Sequence, residues 1–308
     1  MTQHLSGMEF KELALSDKEI VNYYLHSERH ELSVYSFQNI YLWKRLYEIS
    51  WAVIEESLCV FFKDRFGSFV YLPPLNKGRN RKVLEKVFLI LDELNSHSNI
   101  SRIENVEQKD ISLYREFGYE IRYKSCDYLC QRQDLSALAG NKFKSQRANC
   151  NHFIKNNQFE FREFFQEDIE DCLTLYEAWK EERKARIDDR VYQGMLEDSY
   201  SCLQILLEDY FRLDLEGRVI KVDNQVKAFS FGFSLNEDNF CVLYEVADLS
   251  YKGIAQFIFR EFCRQLERYQ YINIMDDSGL ENLKTVKLSY HPVKLIPAYI
   301  ATRPKISE

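Results

Sequence analysis

Phe240-Cys-Val-Leu-Tyr-Glu-Val-Ala247 runs into Asp248-Leu-Ser-Tyr-Lys-Gly253, and apolar residues then recur at Ile254, Phe257, Ile258, Phe262, Leu266 and Tyr269. The pattern reads as a strand, a loop ending in glycine, and an amphipathic helix. Working outward, 218–222 and 225–235 are strands with a turn at Asp223-Asn224, and Asn236-Glu-Asp-Asn239 is the turn that follows. Beyond the helix come a strand at 271–275, a short helix at 279–288 and a last strand at 293–302.

The first half has the same order. After a helix at 17–30 and the aromatic stretch Tyr35-Ser-Phe-Gln-Asn-Ile-Tyr-Leu-Trp-Lys-Arg-Leu-Tyr47, which reads as buried, strands at 51–55, 58–63 and 68–72 end at Pro73-Pro74. The loop Leu75-Asn-Lys-Gly-Arg-Asn80 precedes a helix with apolar Val83, Leu84, Val87, Phe88, Leu91 and Leu94. A strand at 101–106, a helix at 110–119 with Gly118 as its C-cap, and a strand at 120–131 close this half. The 308 residues, about twice a common domain length, thus read as domains 1–140 and 141–308. The second begins with a basic linker segment, 141–162, and a helix at 168–184.

Composition narrows the chemistry. The ten glycines include no pair spaced as in a dinucleotide fingerprint or a Walker A loop, which argues against both folds. Forty-one basic against 48 acidic residues leave a net charge of −7, a balance that favours solubility over a nucleic-acid coat. The first seven residues lack a signal peptide's basic and apolar regions, and no run approaches the roughly 18 apolar residues of a membrane span. The expectation is a cytoplasmic protein with its eight cysteines reduced. Cys126 and Cys130 lie on a strand whose four-residue step covers about 13 Å, too far to share a metal. Cys150-Asn-His152 and His26-x-x-x-His30 have no matching second pair, so no metal site is expected.

Several residues can carry chemistry. Glu245 is a carboxylate in an otherwise apolar strand, a costly placement unless it is paired or functional, and is the general-base candidate. Lys252, Gly253, Ile254 and Ala255 open a helix, where free amides and the helix dipole suit an anion; a plain turn is the alternative. Asp276 and Asp277 end a strand, where ligands of α/β sheets gather, although one of them is expected to cap the next helix. Lys287-Leu-Ser289-Tyr290 sets a cation, a hydroxyl and a phenol side by side, able to orient a donor and protonate a leaving group. Lys142, Lys144 and Arg147 in the basic segment suit a tRNA backbone or an anionic lipid head group.

The chain resembles the family of the phosphatidylglycerol lysyltransferase C-terminal domain, related to the Fem peptidoglycan aminoacyltransferases. The resemblance rests on 35–44, Asp127-Tyr-Leu with 138–149, Val226-Lys-Ala-Phe-Ser230, Leu243-Tyr-Glu-Val-Ala-Asp248 with Tyr251-Lys-Gly253, and Asp276-Asp-Ser-Gly-Leu280 with Lys287-Leu-Ser-Tyr-His-Pro292. It implies an α/β (α+β) fold of two tandem GNAT-like acyltransferase units, each a mixed, mostly antiparallel sheet flanked by helices. Phe117-Gly118-Tyr119 parallels the Tyr-x-x-x-Gly-Phe helix ending of acetyltransferases. Tyr251-Lys-Gly-Ile-Ala255 is shorter than the Arg-x-x-Gly-x-Gly/Ala loop that holds coenzyme A pyrophosphate, which argues against acetyl-CoA. No stretch corresponds to the family's membrane-embedded flippase, so transfer onto membrane lipid is not implied.

Two functions follow as expectations. In the first, acyl-CoA or an aminoacyl-tRNA donates its acyl group to an amine or hydroxyl of a small-molecule or peptide acceptor. Glu245 takes the proton, Lys287 and Tyr290 steady the donor, and amides near Gly253 hold phosphate. In the second, the tandem fold is catalytically inactive and binds a ligand or partner to regulate. A resident cofactor is assigned in neither, and the oligomeric state is left open.

Overall fold

A computed structural model describes residues 3–5, 8–76, 80–96 and 100–304. The chain forms two compact units, Met1–Asp127 with Ile296–Glu308, and Tyr128–Leu295. The division thus falls at Asp127/Tyr128 instead of at 140/141, and the last strand belongs with the first unit.

In the first unit, β1 (Gln3–Leu5) and β2 (Met8–Glu12) precede α1 (Lys18–Leu25) and α2 (Phe37–Tyr41). The expected helix at 17–30 is therefore shorter, while Phe37, Ile40, Tyr41 and Leu42 of the aromatic stretch are buried as read. Strands β3 (Glu48–Ile54), β4 (Ser57–Asp64) and β5 (Gly67–Val70) form an antiparallel meander. Asn80 caps α3 (Arg81–Leu94) by accepting from the Lys82 amide at 2.9 Å, and Val83, Leu84, Val87, Phe88 and Leu91 are buried. Residues 77–79 of the expected loop lie outside the described residues. Then come β6 (Ile103–Glu107), α4 (Ile111–Glu116) and β7 (Glu120–Gln131).

The second unit begins with the end of β7 and includes α5 (Arg132–Ala137), α6 (Lys144–Asn156) and β8 (Glu160–Glu163). The basic stretch 141–162 is therefore not a linker: Phe143, Cys150 and Phe153 are fully buried and pack with Ala247, Ile254 and Phe257. Next are α7 (Ile169–Arg186) and α8 (Arg190–Glu208), the latter absent from the sequence reading. Asp189 caps α8 through the amides of Val191 and Tyr192. Strands β9 (Leu215–Val222), β10 (Gln225–Ser234) and β11 (Asn239–Ala247) form a meander, with positive φ at both Asp223 and Asn224 giving the tight first turn. Helix α9 (Ile254–Gln265), β12 (Tyr271–Asn273) and α10 (Glu281–Ser289) follow, and β13 (Lys294–Thr302) ends the chain.

Each sheet is mixed and mostly antiparallel, with one parallel pair: β5 with β6, and β11 with β12. The repeated order is β-β-β-α-β-α-β in both halves, as the sequence reads, but the last strands change places. The first unit is completed by β13 antiparallel to β6 through Ala298–Glu107 and Tyr299–Val106, and the second by Leu129–Gln131 of β7 antiparallel to β12.

Candidate functional site

The sheet of the second unit opens where its chemistry-bearing residues lie. Strands β11 and β12 pair only over Asn239–Cys241 and Tyr271–Asn273. Past Asn273 the chain turns to β7, with the Ile274 amide on the Tyr128 carbonyl at 3.0 Å and the Tyr128 amide on the Met275 carbonyl at 3.2 Å. Strand β11 continues alone on that side to Ala247. Its register with β10 slips between Phe231 and Gly232, which leaves Leu243 as an extra residue. Such a bulge re-aims the side chains after it. Gly232 is required there, since a β-carbon would lie 2.3 Å from the Cys241 carbonyl oxygen. Past the bulge Tyr244 bonds to Ser199 of α8 at 2.7 Å, while Ala247 packs with Ile254, Phe257 and Ile258 of α9. Glu245 shares Ala247's face, directly opposite the fully buried Ser230.

Glu245 is half-buried and has no hydrogen-bond or ion-pair partner among the described residues. Desolvation pushes its carboxyl up to about 8, against the opposing pull of the Lys287 ammonium. Tyr290 is buried, its ring 4.6 Å from Phe259. Burial, followed by the nearby Glu245, Cys263, Cys150 and Cys130, drives its phenol well above the ordinary value. Lys287 donates to the Ile274 carbonyl, at the point where the chain leaves β12. Glu245 is thus within electrostatic reach of both Lys287 and Tyr290, three residues chosen separately from the sequence. The arrangement sets a carboxyl pushed up to about 8 against a neutral phenol and a cation.

The other expected site residues are spread around this centre. Gly253 has φ of +91°, and a β-carbon on it would stand 2.0 Å from the Asn149 carbonyl oxygen of α6. Close approach of a helix backbone thus gives this glycine a packing reason of its own. The Ile254 amide donates to the Tyr251 carbonyl at 3.1 Å, while Lys252 is exposed and Ala255 half-buried. Asp277 accepts from the Tyr128 hydroxyl at 2.5 Å and the Gly279 amide at 2.9 Å. Asp276 accepts from the Ser278 amide at 3.3 Å, so both aspartates shape the turn before α10. The hydroxyl of Ser289 is exposed and bonds within α10 to Val286. Lys142 pairs with Asp134 at 2.7 Å, and Arg147 donates to the carbonyls of Leu138 and Gly140. Lys144 is exposed and has no partner among the described residues.

Sequence reasoning assigned no role to Ser230, Tyr128 or Cys263. Ser230 and Tyr128 stand inside quoted stretches, but only pairing register and the fate of the chain after β12 give them a place. All eight cysteines are free, and burial pushes Cys130 up to about 12, which keeps it a thiol at neutral pH. Among the described residues no group of three His, Cys, Asp or Glu is placed to hold a metal ion, and no helix is long and apolar enough to cross a membrane.

The sequence profile of the phosphatidylglycerol lysyltransferase C-terminal region matches residues 27–302. No curated protein matches the chain in sequence. Among solved structures, a conserved protein of unknown function from Bacteroides thetaiotaomicron superposes with a TM-score of 0.86 at 26% identity, over 96% of this chain and 100% of that one. L-PGS from Bacillus licheniformis gives 0.64 at 17% identity, over 94% of this chain and 93% of that one. A tandem GNAT protein from the clavulanic acid biosynthesis pathway gives 0.51 at 9% identity, over 97% and 100%. The fold is that of tandem GNAT-like acyl- and aminoacyltransferases.

Proposed function

The chain belongs to the phosphatidylglycerol lysyltransferase C-terminal family, and from that membership we propose that its second unit is an acyl- or aminoacyltransferase. One observation supports the reading: Glu245, with no hydrogen-bond or ion-pair partner among the described residues and pushed up to about 8, sits on β11 past its pairing with β12 and within electrostatic reach of Tyr290 and Lys287. A carboxylate of that basicity matches the proton it would remove from an amine or hydroxyl far better than an ordinary glutamate does.

In the reaction, the acceptor nitrogen or oxygen attacks the carbonyl carbon of an aminoacyl-tRNA ester or a thioester. The new C–N or C–O bond forms as the donor's C–O or C–S bond breaks. The acceptor's proton passes to Glu245, and the leaving oxygen or sulfur takes a proton from Tyr290 or water. Lys287 steadies the negative charge that develops on the carbonyl oxygen. Exposed Lys144 and Lys252 suit a polyanionic donor such as tRNA, arriving at a protein whose net charge is −7.

The test is mass-spectrometric detection of acyl adducts when the protein meets lysyl-tRNA, other aminoacyl-tRNAs or acyl-CoAs with small amines as acceptors. Adducts that fall at least about a hundredfold in Glu245→Gln, with donor binding retained, support the assignment. A variant of full turnover removes it.

A second reading, ligand binding without turnover, is favoured by the close packing of α6 on Gly253, which fills one side of the expected anion loop. Donor binding with no adduct under any donor identifies that case.

A further inference from the structure

Glu245 has a neighbour that the proposed reaction leaves unused. In the pairing of β10 with β11, Ser230 stands directly opposite Glu245, and the next two pairs, Phe229 with Val246 and Ala228 with Ala247, continue without a slip. Residues directly opposite in an antiparallel pair share a face, with β-carbons about 4.5–5.5 Å apart. A glutamate side chain is long enough to bring its carboxyl back to a serine hydroxyl at that separation.

Ser230 is fully buried, and Phe229 and Phe231 beside it in the strand are buried as well. A hydroxyl in such a place is costly unless it is bonded. It donates to the Tyr244 carbonyl at 3.1 Å. That bond uses its single proton and leaves the oxygen's lone pairs to accept, yet among the described residues nothing donates to them. The titratable groups that face Glu245 from the packed elements are Lys287 and Tyr290 at the end of α10 and Cys263 of α9. None of them bonds to its carboxyl, and burial keeps both Tyr290 and Cys263 neutral. Lys287 donates to the Ile274 carbonyl. The donor directly across the sheet is therefore Ser230.

We propose that Ser230 is the positioning residue of Glu245, an inference that rests on Glu245 as the base. While Glu245 carries a proton it donates to the Ser230 oxygen, and Ser230 donates to the Tyr244 carbonyl; when Glu245 is a carboxylate, the Ser230 hydroxyl turns to it. No bond within Ser230 forms or breaks. Its hydrogen swings about the Cβ–Oγ bond, and the only proton that travels is the one Glu245 takes from the acceptor. A hydrogen bond to an ionised acceptor is about twice as strong as a neutral one, so the turned hydroxyl holds the carboxylate more firmly than the unturned one holds the acid. Ser230 thus fixes where the carboxylate sits before it takes a proton.

The carboxyl carbon signals of the glutamate-labelled full chain, followed from about pH 4 to 10 without donor or acceptor, test this. Glu245→Gln identifies the signal. Ser230→Ala is expected to raise the Glu245 midpoint by at least about 0.5 pH unit, since the variant takes more from the carboxylate than from the acid. A role confined to packing leaves the midpoint in place. Should Ser230→Ala not fold, Ser230→Cys, similar in shape and a weaker donor, is read by the same criterion. A raised parent midpoint that the variant leaves unchanged or lowers overturns this proposal alone, and a parent midpoint near 4.5 overturns both it and Glu245 as the base. Absence of turnover with every donor overturns the transfer reaction, and the comparison of midpoints still decides the role of Ser230.

Discussion

The carbonyl oxygen of Asn149 lies 2.0 Å from the point that a β-carbon on Gly253 would occupy. Helix α6 therefore crosses the start of α9 with no side chain between the two backbones. Because the obstructing atoms are main chain, rotamer changes cannot relieve the contact.

Gly253→Ala is accordingly expected to destabilise the protein by more than about 2 kcal/mol, combining a strained positive φ with displacement of α6. Urea unfolding measures it. A loss under about 0.5 kcal/mol would mean that the crossing adjusts freely.

Asp168 is fully buried and receives Arg162 at 2.6 and 2.8 Å, Lys221 at 3.2 Å and the Phe165 amide at 2.9 Å. Burial alone would raise this carboxyl; its bonds, led by Arg162, hold it below the ordinary range instead. A depressed folded value contributes stability that is present above the unfolded value, near 4, and is lost as pH falls through the folded one. Asp168→Ala should cost about 1.5–3 kcal/mol at pH 7, since it removes the shared buried acceptor of two half-buried cations. Melting curves between pH 7 and 2 should converge for parent and variant at the acid end.

Glu245 has the opposite sign. With its folded value raised to about 8 from the ordinary 4.5, its contribution is fully present below pH 4.5 and is lost as pH rises through 8. Glu245→Gln should match the parent's unfolding free energy near pH 4.5 and exceed it at pH 8.5, by a difference on the order of a few kcal/mol. Parallel curves across this range would show that Glu245 titrates as an ordinary exposed carboxyl.

Tyr128→Phe removes the 2.5 Å bond to Asp277 and should destabilise by about 1.5–3 kcal/mol, with faster amide exchange at Ser278–Leu280. Exchange unchanged from the parent would show that the turn holds without it.

Local periodicity made much of the fold legible. The stripe from Ile254 to Leu266 and the meander 215–247 follow directly from apolar spacing and turn residues. Helix α8 escaped because Gly194, a poor helix former, stands within it; its cap at Asp189 was the available signal. Helix α6 was taken for a linker because its apolar contribution is only Cys150 and Phe153, too sparse for a period. Glu245 stood out as one charge in an apolar strand. What opens the sheet around it, by contrast, is a bulge and a change of pairing partner, and neither has a local sequence signature.

The exchange of β7 and β13 bears on synthesis. Strand β6 finds its antiparallel neighbour only among residues 294–302, so as the chain leaves the ribosome the first unit waits for residues made after nearly all of the second before its sheet is complete. The second unit has no such delay, because Leu129–Gln131 is made long before β12. The order in which the two sheets can be completed is thereby inverted relative to chain order. A nascent chain halted before residue 294 is expected to hold a finished second unit and an open-edged first one, a vulnerable interval for proteolysis and aggregation.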